Sequence, residues 1–221
     1  YYPYLKGSGI TTREDIVIEK RGANESFSGV CEDIRVGISL IFYLRNAVTY
    51  KKKNILGNLL NPNISVTFSG LSLSGKILLP LLKDEEQVRS NLEAARKRSR
   101  LIAEARKGDE EAIESLTLED IDMYTTISRR IQKEDVFSIV ETYFMPFGVE
   151  CDQYHILGEI KSVQKVKNEY TGEKIYQMNL ECNDMGFDIC INAKDLLGEP
   201  EIGRRFKGSI WLQGHMNFLE D

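Results

Sequence analysis

The feature that most constrains the fold is a series of short alternating runs in the last part of the chain, residues 154–221. From Tyr176 to Cys182 apolar side chains occupy every second position, and the same period returns from Phe187 to Asn192. A period of two with turn residues after each run is typical of strands that bury one face. The pattern offers five candidate strands, with a short helical insert before the fourth, at 160–166, 176–182, 187–192, 208–214 and 216–219. This order predicts a small closed barrel of the oligonucleotide/oligosaccharide-binding (OB) type.

The upstream part of the chain divides into a strand-like region and a helical region. Residues 15–82 contain short apolar runs and two long ones, at 36–50 and 64–82, which predict an antiparallel sheet of about four strands. At Asp84, which can cap a helix, the apolar period changes to about 3.6 residues. Helical patterns continue to residue 147, where Pro146 and the following glycine end them.

The predicted fold class is therefore α+β, with an amino-terminal antiparallel sheet and helical block followed by a small carboxyl-terminal OB-like β-barrel. We assign an α+β domain to residues 1–148, with the sheet at 15–82 and helices at 84–147, and the OB-like barrel domain to residues 149–221. A chain of 221 residues can bury the cores of two such domains without disulfides or metals.

Composition excludes some classes of protein. No segment approaches the run of about 18 apolar residues that a membrane span requires, so no membrane association is expected. The four cysteines include no C-x-x-C pair, which disfavours a zinc site and indicates reduced thiols in a cytoplasmic protein. The chain starts at Tyr1 with no initiator Met, which suggests that an upstream portion is missing.

Several sequence runs carry a resemblance to a known family. They are Gly108 to Asp122, Thr126 to Ile131, Glu134 to Phe137, Tyr143 to Tyr154 and Gly198 to Gly208. Together they resemble a bacterial family of uncharacterised proteins, domain of unknown function 3881. The resemblance implies a bacterial, cytoplasmic protein that lacks a further amino-terminal portion here, and it supplies no catalytic residues.

The sequence contains no recognisable catalytic or cofactor-binding motif. His155 and His215 are the only imidazoles, and neither lies near a Cys or Ser in a nucleophile motif. Gly7-Ser8-Gly9 lacks the lysine and the spacing of a phosphate loop, and Gly203 to Gly208 is more simply a turn. We therefore expect no catalytic residues, no cofactor and no metal site, and a protein that is not an enzyme.

Nucleic-acid binding is disfavoured by charge but has a candidate cluster. The outward face of the predicted barrel carries neutral or acidic residues, and the net charge of -5 has the wrong sign for a polyanion partner. The basic and aromatic residues Arg204, Arg205, Lys207 and Trp211 form the one speculative binding cluster of this domain. A second basic run, Arg96 to Arg98 with Arg100, is interspersed with acidic residues, which is typical of a solvated helix face.

The sequence thus predicts a non-enzymatic binding or assembly module that acts through contacts with another protein. The alternative is a weak single-stranded nucleic-acid binder that uses Arg204, Arg205, Lys207 and Trp211 of the barrel. A third hypothesis is an enzyme with its site in a cleft between the two domains. The sequence leaves the oligomeric state open.

Overall fold

A computed structural model describes residues 2–22, 26–33, 35–55, 64–81, 85–132 and 135–218 of the chain. The first part contains strands β1 (Ile16–Arg21), β2 (Ser26–Asp33) and β3 (Ile38–Leu44), helix α1 (Ala47–Ile55) and strand β4 (Ser65–Leu78). The middle part contains helices α2 (Glu85–Ala105), α3 (Glu110–Ile131) and α4 (Val136–Ile139). The last part contains β5 (Tyr143–Pro146), β6 (Gln153–Lys167), β7 (Lys174–Cys182), β8 (Met185–Asn192), a 3₁₀ turn (Ala193–Asp195), β9 (Leu196–Leu197) and β10 (Arg205–Asn217).

Five strands close into a barrel, as expected, but they do not all come from the predicted segment. Strands β6, β7 and β8 form an antiparallel meander, and β10 pairs antiparallel with β6. The fifth strand is β4, which pairs antiparallel with β10 and parallel with β8. The two predicted strands at 208–214 and 216–219 are one strand, β10, that runs through Gly214. Residue 219 lies outside the described residues.

The amino-terminal strands form a meander that joins the barrel through β10. β1, β2 and β3 pair antiparallel in order, and β3 then pairs in parallel with Gln213 and Gly214 of β10. The separate sheet expected over 15–82 is therefore not formed, because β4 lies on the far side of β10 from β3. Periodicity shows which residues share a face of a strand, but it does not show which strand is its neighbour.

One buried ring connects the meander to the barrel core. Phe42 of β3 is fully buried and packs edge-on against Phe68 of β4, with ring centroids 5.1 Å apart. A Cβ atom at Gly29 would lie 2.0 Å from this ring, and one at Gly214 would lie 2.3 Å from it. The two glycines therefore make the space that the ring fills, which explains why Gly214 sits inside a strand instead of in a turn.

The chain divides into two compact units that differ from the expected domains. One unit combines residues 1–80 with 142–221, and the other contains residues 81–141. The first is therefore discontinuous in sequence, because β4 completes a barrel whose other strands lie after residue 150.

The helical unit is a hairpin of α2 and α3 with the short α4 after it. Exposed ion pairs link the hairpin, including Lys97 to Glu119 and Arg98 to Asp120, each at 2.7 Å. Asp84, the expected cap of α2, lies outside the described residues.

Two expected elements differ locally from the prediction. Helix was expected as far as residue 147, but Tyr143–Pro146 is strand β5, paired with β6. Its Phe144 packs on Tyr154, with ring centroids 4.7 Å apart. The predicted strand at 36–50 instead turns into α1 after Asn46, whose side chain bonds the backbone N–H and C=O of Met216. In both places a contact with a distant strand overrides the local pattern.

Residues 2–12, which we call the strap, lie in extended form against the outside of the barrel. Ser69 Oγ donates a hydrogen bond to the Leu5 carbonyl, and Thr12 pairs with Val66 through backbone hydrogen bonds. A Cβ atom at Gly7 would lie 2.8 Å from the Phe68 carbonyl oxygen, so only glycine allows this approach. The strap gives β4 a cover on its outer face, which explains why the first six residues of β4 are buried on both faces.

We predict that Tyr154→Phe destabilises the protein by about 1–3 kcal/mol. The buried Tyr154 hydroxyl accepts a hydrogen bond from the Ile41 N–H at 2.7 Å and donates one to the Ile41 carbonyl at 3.1 Å. Without the hydroxyl, both Ile41 groups lose their partner. Urea unfolding of the variant measures the loss. Tyr170→Phe is the control because Tyr170 is 99% exposed, and an equal effect of the two variants contradicts the assignment.

We also predict that the folded protein exposes one reactive thiol at about pH 8. The four cysteines are unpaired, and burial raises the pKa of Cys31 and Cys190 to about 11 and that of Cys182 to about 12. These three stay protonated at that pH, because a raised pKa favours the thiol until the pH approaches it. Ellman's reagent should therefore label Cys151 in the native state and all four cysteines after denaturation. Rapid native labelling that persists in Cys151→Ser contradicts this prediction.

Candidate binding site

The four speculative binding residues do not form a single cluster. Arg205, Lys207 and Trp211 alternate along the outer face of β10, and Arg204 precedes the strand. Arg204 forms an ion pair with Glu201 at 2.9 Å and donates a hydrogen bond to the Glu199 carbonyl. Arg205 is buried, and its Nε donates a hydrogen bond to the Leu79 carbonyl at 3.1 Å. Both arginines are therefore engaged in holding loops against the barrel.

Trp211 belongs to a different part of the surface. Its Nε1 donates a hydrogen bond at 2.9 Å to Asp152 Oδ2, the oxygen that also pairs with Arg21 at 2.7 Å. Its ring packs against Tyr43, with centroids 5.2 Å apart, and against Tyr2 of the strap, with centroids 6.4 Å apart. The indole is held at its polar edge and contacted by neighbouring rings, which is the arrangement of a packed aromatic cluster.

Lys207 opens onto a cavity of about 360 Å³ on the outer face of the barrel, which we call the basic cavity. Nine residues line it: Ser74, Gly75, Lys76, Tyr143, His155, Leu197, Lys207, Gly208 and Ser209. They come from β4, β5, β6, β9 and β10, which all belong to the unit that contains the barrel.

Strand register brings these side chains together. Lys207 of β10 lies directly opposite Lys76 of β4. Ser209 is two residues after Lys207 and therefore lies on the same face of β10. It lies opposite Ser74 of β4 on one side and His155 of β6 on the other. The cavity therefore has a rung of two lysines beside a rung of two serines and a histidine.

His155 is fixed from two directions. Its Nδ1 lies 2.8 Å from Ser209 Oγ, a hydrogen bond whose donor depends on the imidazole tautomer. The Phe147 ring packs against the imidazole, with centroids 5.1 Å apart. The two contacts hold the ring at the cavity wall.

Tyr143 adds a further hydrogen-bond donor. Burial, with a smaller contribution from Cys182, raises the pKa of Tyr143 above its ordinary value. The phenol therefore stays protonated at neutral pH and can donate a hydrogen bond to a ligand.

The charged side chains that line the basic cavity are all positive. Its nine lining residues, all within the described part of the chain, include two lysines and no carboxylate. Lys76 and Lys207 each have a further interaction within the protein, but an ammonium group has three N–H donors, so an anion between them can accept a hydrogen bond from each. The arrangement can hold an acidic group through charge-assisted hydrogen bonds.

Sequence reasoning found Lys207 but missed its neighbours. His155 was set aside because no Cys or Ser near it belongs to a recognised nucleophile motif, and its partner Ser209 is 54 positions away. Lys76 and Tyr143 lie in segments assigned to the other domain. No local pattern marks these residues, since only the pairing of β10 with β4 and β6 brings them together.

Other kinds of site are not found in the described residues. They include no group of three or more His, Cys, Asp or Glu side chains that could hold a metal ion. None of the helices in the described part of the chain is both long and apolar enough to cross a membrane. The second basic run is engaged along the helical hairpin, where Lys97, Arg98 and Arg100 each form an ion pair.

The comparison with protein families gives one match. The family model described as "Domain of unknown function, E. rectale Gene description (DUF3881)" matches residues 1–214. The chain belongs to this family. DUF3881 membership confirms the resemblance that the sequence motifs indicated. No curated protein and no solved structure matches the chain, so a function for this DUF3881 protein is argued from its own geometry.

Proposed function

We propose that this DUF3881 protein is a non-enzymatic binding module that holds an acidic segment of a partner protein in the basic cavity. The observation that carries the proposal is the opposed pair Lys76 and Lys207, which opens onto a cavity with no carboxylate among its lining residues. Carboxylates of a partner can accept hydrogen bonds from both ammonium groups, while the hydroxyls of Ser209 and Tyr143 can donate further hydrogen bonds.

The net charge of the whole chain sharpens this selectivity. At -5 the protein repels polyanions in general, so an acidic ligand is favoured only where positive charge is concentrated. A short acidic segment that fits the basic cavity meets the two lysines and avoids most of the remaining surface. A long, uniformly charged polyanion would also lie against the remaining surface of this negatively charged protein, so its binding is disfavoured.

Apolar groups beside the cavity indicate a second property of the partner. Leu197 lines the cavity and is 74% exposed, and Phe147, which packs on His155, is 61% exposed. Met145 of the neighbouring edge strand is also exposed. Exposed apolar side chains around a polar pocket are typical of protein contact surfaces, so we expect an apolar residue next to the acidic ones in the partner segment.

The absence of catalysis is part of the proposal. Ser209 and His155 have the contact that a nucleophile and a general base would need, at 2.8 Å. The other side chains that line the basic cavity include no carboxylate to orient the imidazole and stabilise its charged form. We therefore assign the pair a role in ligand binding.

Single-stranded nucleic-acid binding is the alternative. The observation that favours it is that Tyr143 lines the same cavity as the two lysines and that Phe147 packs on His155 of that cavity, because bases stack on aromatic rings while lysines contact phosphates. This alternative goes together with the OB-like barrel that the sequence predicts, because OB-folds commonly bind oligonucleotides. Contacts within the protein already engage Arg204, Arg205 and Trp211. The basic cavity is therefore the more suitable surface for binding a nucleic-acid strand.

We predict that a labelled peptide in which acidic residues flank a leucine binds the protein and that Lys76→Glu or Lys207→Glu weakens binding by about tenfold or more. Fluorescence anisotropy at low and raised salt measures the affinity. Binding should fall with salt, because charges separated by more than about 10 Å are screened at 0.1 M. The same peptide with amides in place of its carboxylates should not bind.

The matched control for this experiment is Lys174→Glu. Lys174 also lies opposite another lysine, Lys167, in the pairing of β6 with β7, but neither residue lines the basic cavity. An equal loss in Lys174→Glu and Lys207→Glu, or equal binding of the amide peptide, overturns the proposal. Salt-sensitive binding of oligo-dT that Lys207→Glu removes, without binding of the acidic peptide, establishes the alternative.

A separate prediction concerns catalysis by the Ser209 and His155 pair. We expect the wild type, Ser209→Ala and His155→Gln to hydrolyse p-nitrophenyl acetate at the same background rate, because the imidazole lacks an orienting carboxylate. Stopped-flow absorbance detects any burst of nitrophenolate. The control is Ser74→Ala, since Ser74 lines the same cavity on the other side of Ser209. A burst that survives in Ser74→Ala and disappears in Ser209→Ala shows that the protein is an acyl-transfer enzyme.

A further inference from the structure

A second concave site lies between the strap and the outer face of β6, β7 and β8. This cleft, which we call the strap cleft, has a volume of about 260 Å³ and shares no lining residue with the basic cavity. Its wall consists of Leu5, Lys6 and Ser8 of the strap. Its floor consists of six residues of the three strands, Ser162, Gln164, Gln177, Met178, Asn179 and Asp188.

The floor is built from two rungs of polar side chains. Gln164 of β6 lies opposite Gln177 of β7, and Ser162 lies opposite Asn179 on the next rung. Asn179 in turn lies opposite Asp188 of β8. All these residues point to the outer face, because their neighbours Tyr176, Met178 and Leu180 fill the barrel core.

Both carboxylate oxygens of Asp188 are already engaged by groups of the protein. Its Oδ2 accepts hydrogen bonds from the backbone N–H and the hydroxyl of Ser8, both at 2.6 Å, and its Oδ1 accepts one from Asn179 Nδ2 at 2.9 Å. The carboxylate therefore fixes the strap to the floor and is not a site for a cation. Lys6 balances its charge, so the lining of the strap cleft carries no net formal charge.

The two glutamines of the floor have hydrogen-bonding groups that are available to a ligand. Neither the Gln164 nor the Gln177 carboxamide forms a hydrogen bond to another side chain or to the backbone within the described residues. Each carboxamide offers two N–H donors and one oxygen acceptor. The Asn179 oxygen and the Ser162 hydroxyl add further capacity on the neighbouring rung.

We propose that the strap cleft binds a saccharide, through hydrogen bonds from these carboxamides to the sugar hydroxyls. A hydroxyl is both a donor and an acceptor, and a carboxamide matches it in both roles. The absence of net charge in the lining fits a neutral ligand. The cleft volume of about 260 Å³ is slightly below the usual range for ligand pockets, about 300 to 1,000 Å³. The cleft therefore has room for one sugar ring with its hydroxyls, and the other rings of an oligosaccharide would lie outside it.

Other ligand classes fit the strap cleft less well. None of its nine lining residues is aromatic, so a nucleobase has no ring to stack on. An extended peptide would bind best along a free strand edge, but β7 and β8 are each paired on both sides. The floor is a closed sheet face, which offers side-chain amides instead of backbone groups.

The test is a titration of the ¹⁵N-labelled full chain with maltotriose, cellotriose, xylotriose and N,N′,N″-triacetylchitotriose, followed by NMR. We expect at least one of these sugars to shift the side-chain amide signals of Gln164 and Gln177, with a dissociation constant of about a millimolar. Gln177→Leu, which keeps the shape of the side chain and removes its polar atoms, should weaken that binding by about tenfold.

Gln153→Leu is the matched control, because Gln153 is an exposed glutamine of β6 outside the strap cleft. It should leave sugar binding unchanged. Thermal unfolding of both variants checks that the fold is retained, and Gln164→Ala replaces Gln177→Leu if the latter unfolds. The proposal is overturned if none of the four sugars shifts these signals, if Gln177→Leu binds as the wild type does, or if a blocked alanine tripeptide shifts the same signals instead.

Discussion

The structure depends on the hydrogen bonding of one strand, β10, along both of its edges. One edge pairs with β4 over the whole length of β10, and the other edge pairs first with β6 and then with β3. Pairing of β10 with β4 on one edge and with β6 on the other closes the barrel. Pairing of β10 with β3 attaches the amino-terminal meander to it. Because neighbours change along this edge, backbone groups of β3 would be left without partners, and the hydroxyl of Tyr154 meets that need at Ile41. The common core of the barrel and the meander follows from this arrangement.

The outer face of the barrel is used in two different ways. Over β4 the strap covers it, which is possible because Gly7 lets two backbones approach closely and because Asp188 anchors Ser8. Beside β5 and β9 it stays open as the basic cavity, where strand register sets two lysines side by side. One surface thus offers a positively charged cavity and a neutral, amide-lined cleft. Their different charge is the basis of the two proposals, an acidic segment for the basic cavity and a sugar for the strap cleft.

Much of the barrel could be predicted from local patterns. The alternation at Tyr176 to Cys182 and Phe187 to Asn192 marks β7 and β8 with their inward sets, since a half-buried strand needs a period of two. Helices after residue 84 were likewise expected from their period, although their pairing was not. The position of Gly214 within a strand was not, because its cause is the ring of Phe42, about 170 residues earlier. The strand character of Tyr143–Pro146 was missed for the same kind of reason, as its pairing with β6 overrides a helical spacing.

The sequence by itself determined the α+β class, the family and the faces of the strands at Tyr176 to Cys182 and Phe187 to Asn192. Only the tertiary structure decided that β4 completes the barrel, that the unit containing the barrel is discontinuous in sequence, and that Lys76, Tyr143, His155 and Ser209 meet around one cavity. The physical reason is the range of the forces involved. Side-chain periodicity follows from the geometry of a single strand, whereas hydrogen bonding between strands depends on which distant backbone edges come together when the core is buried.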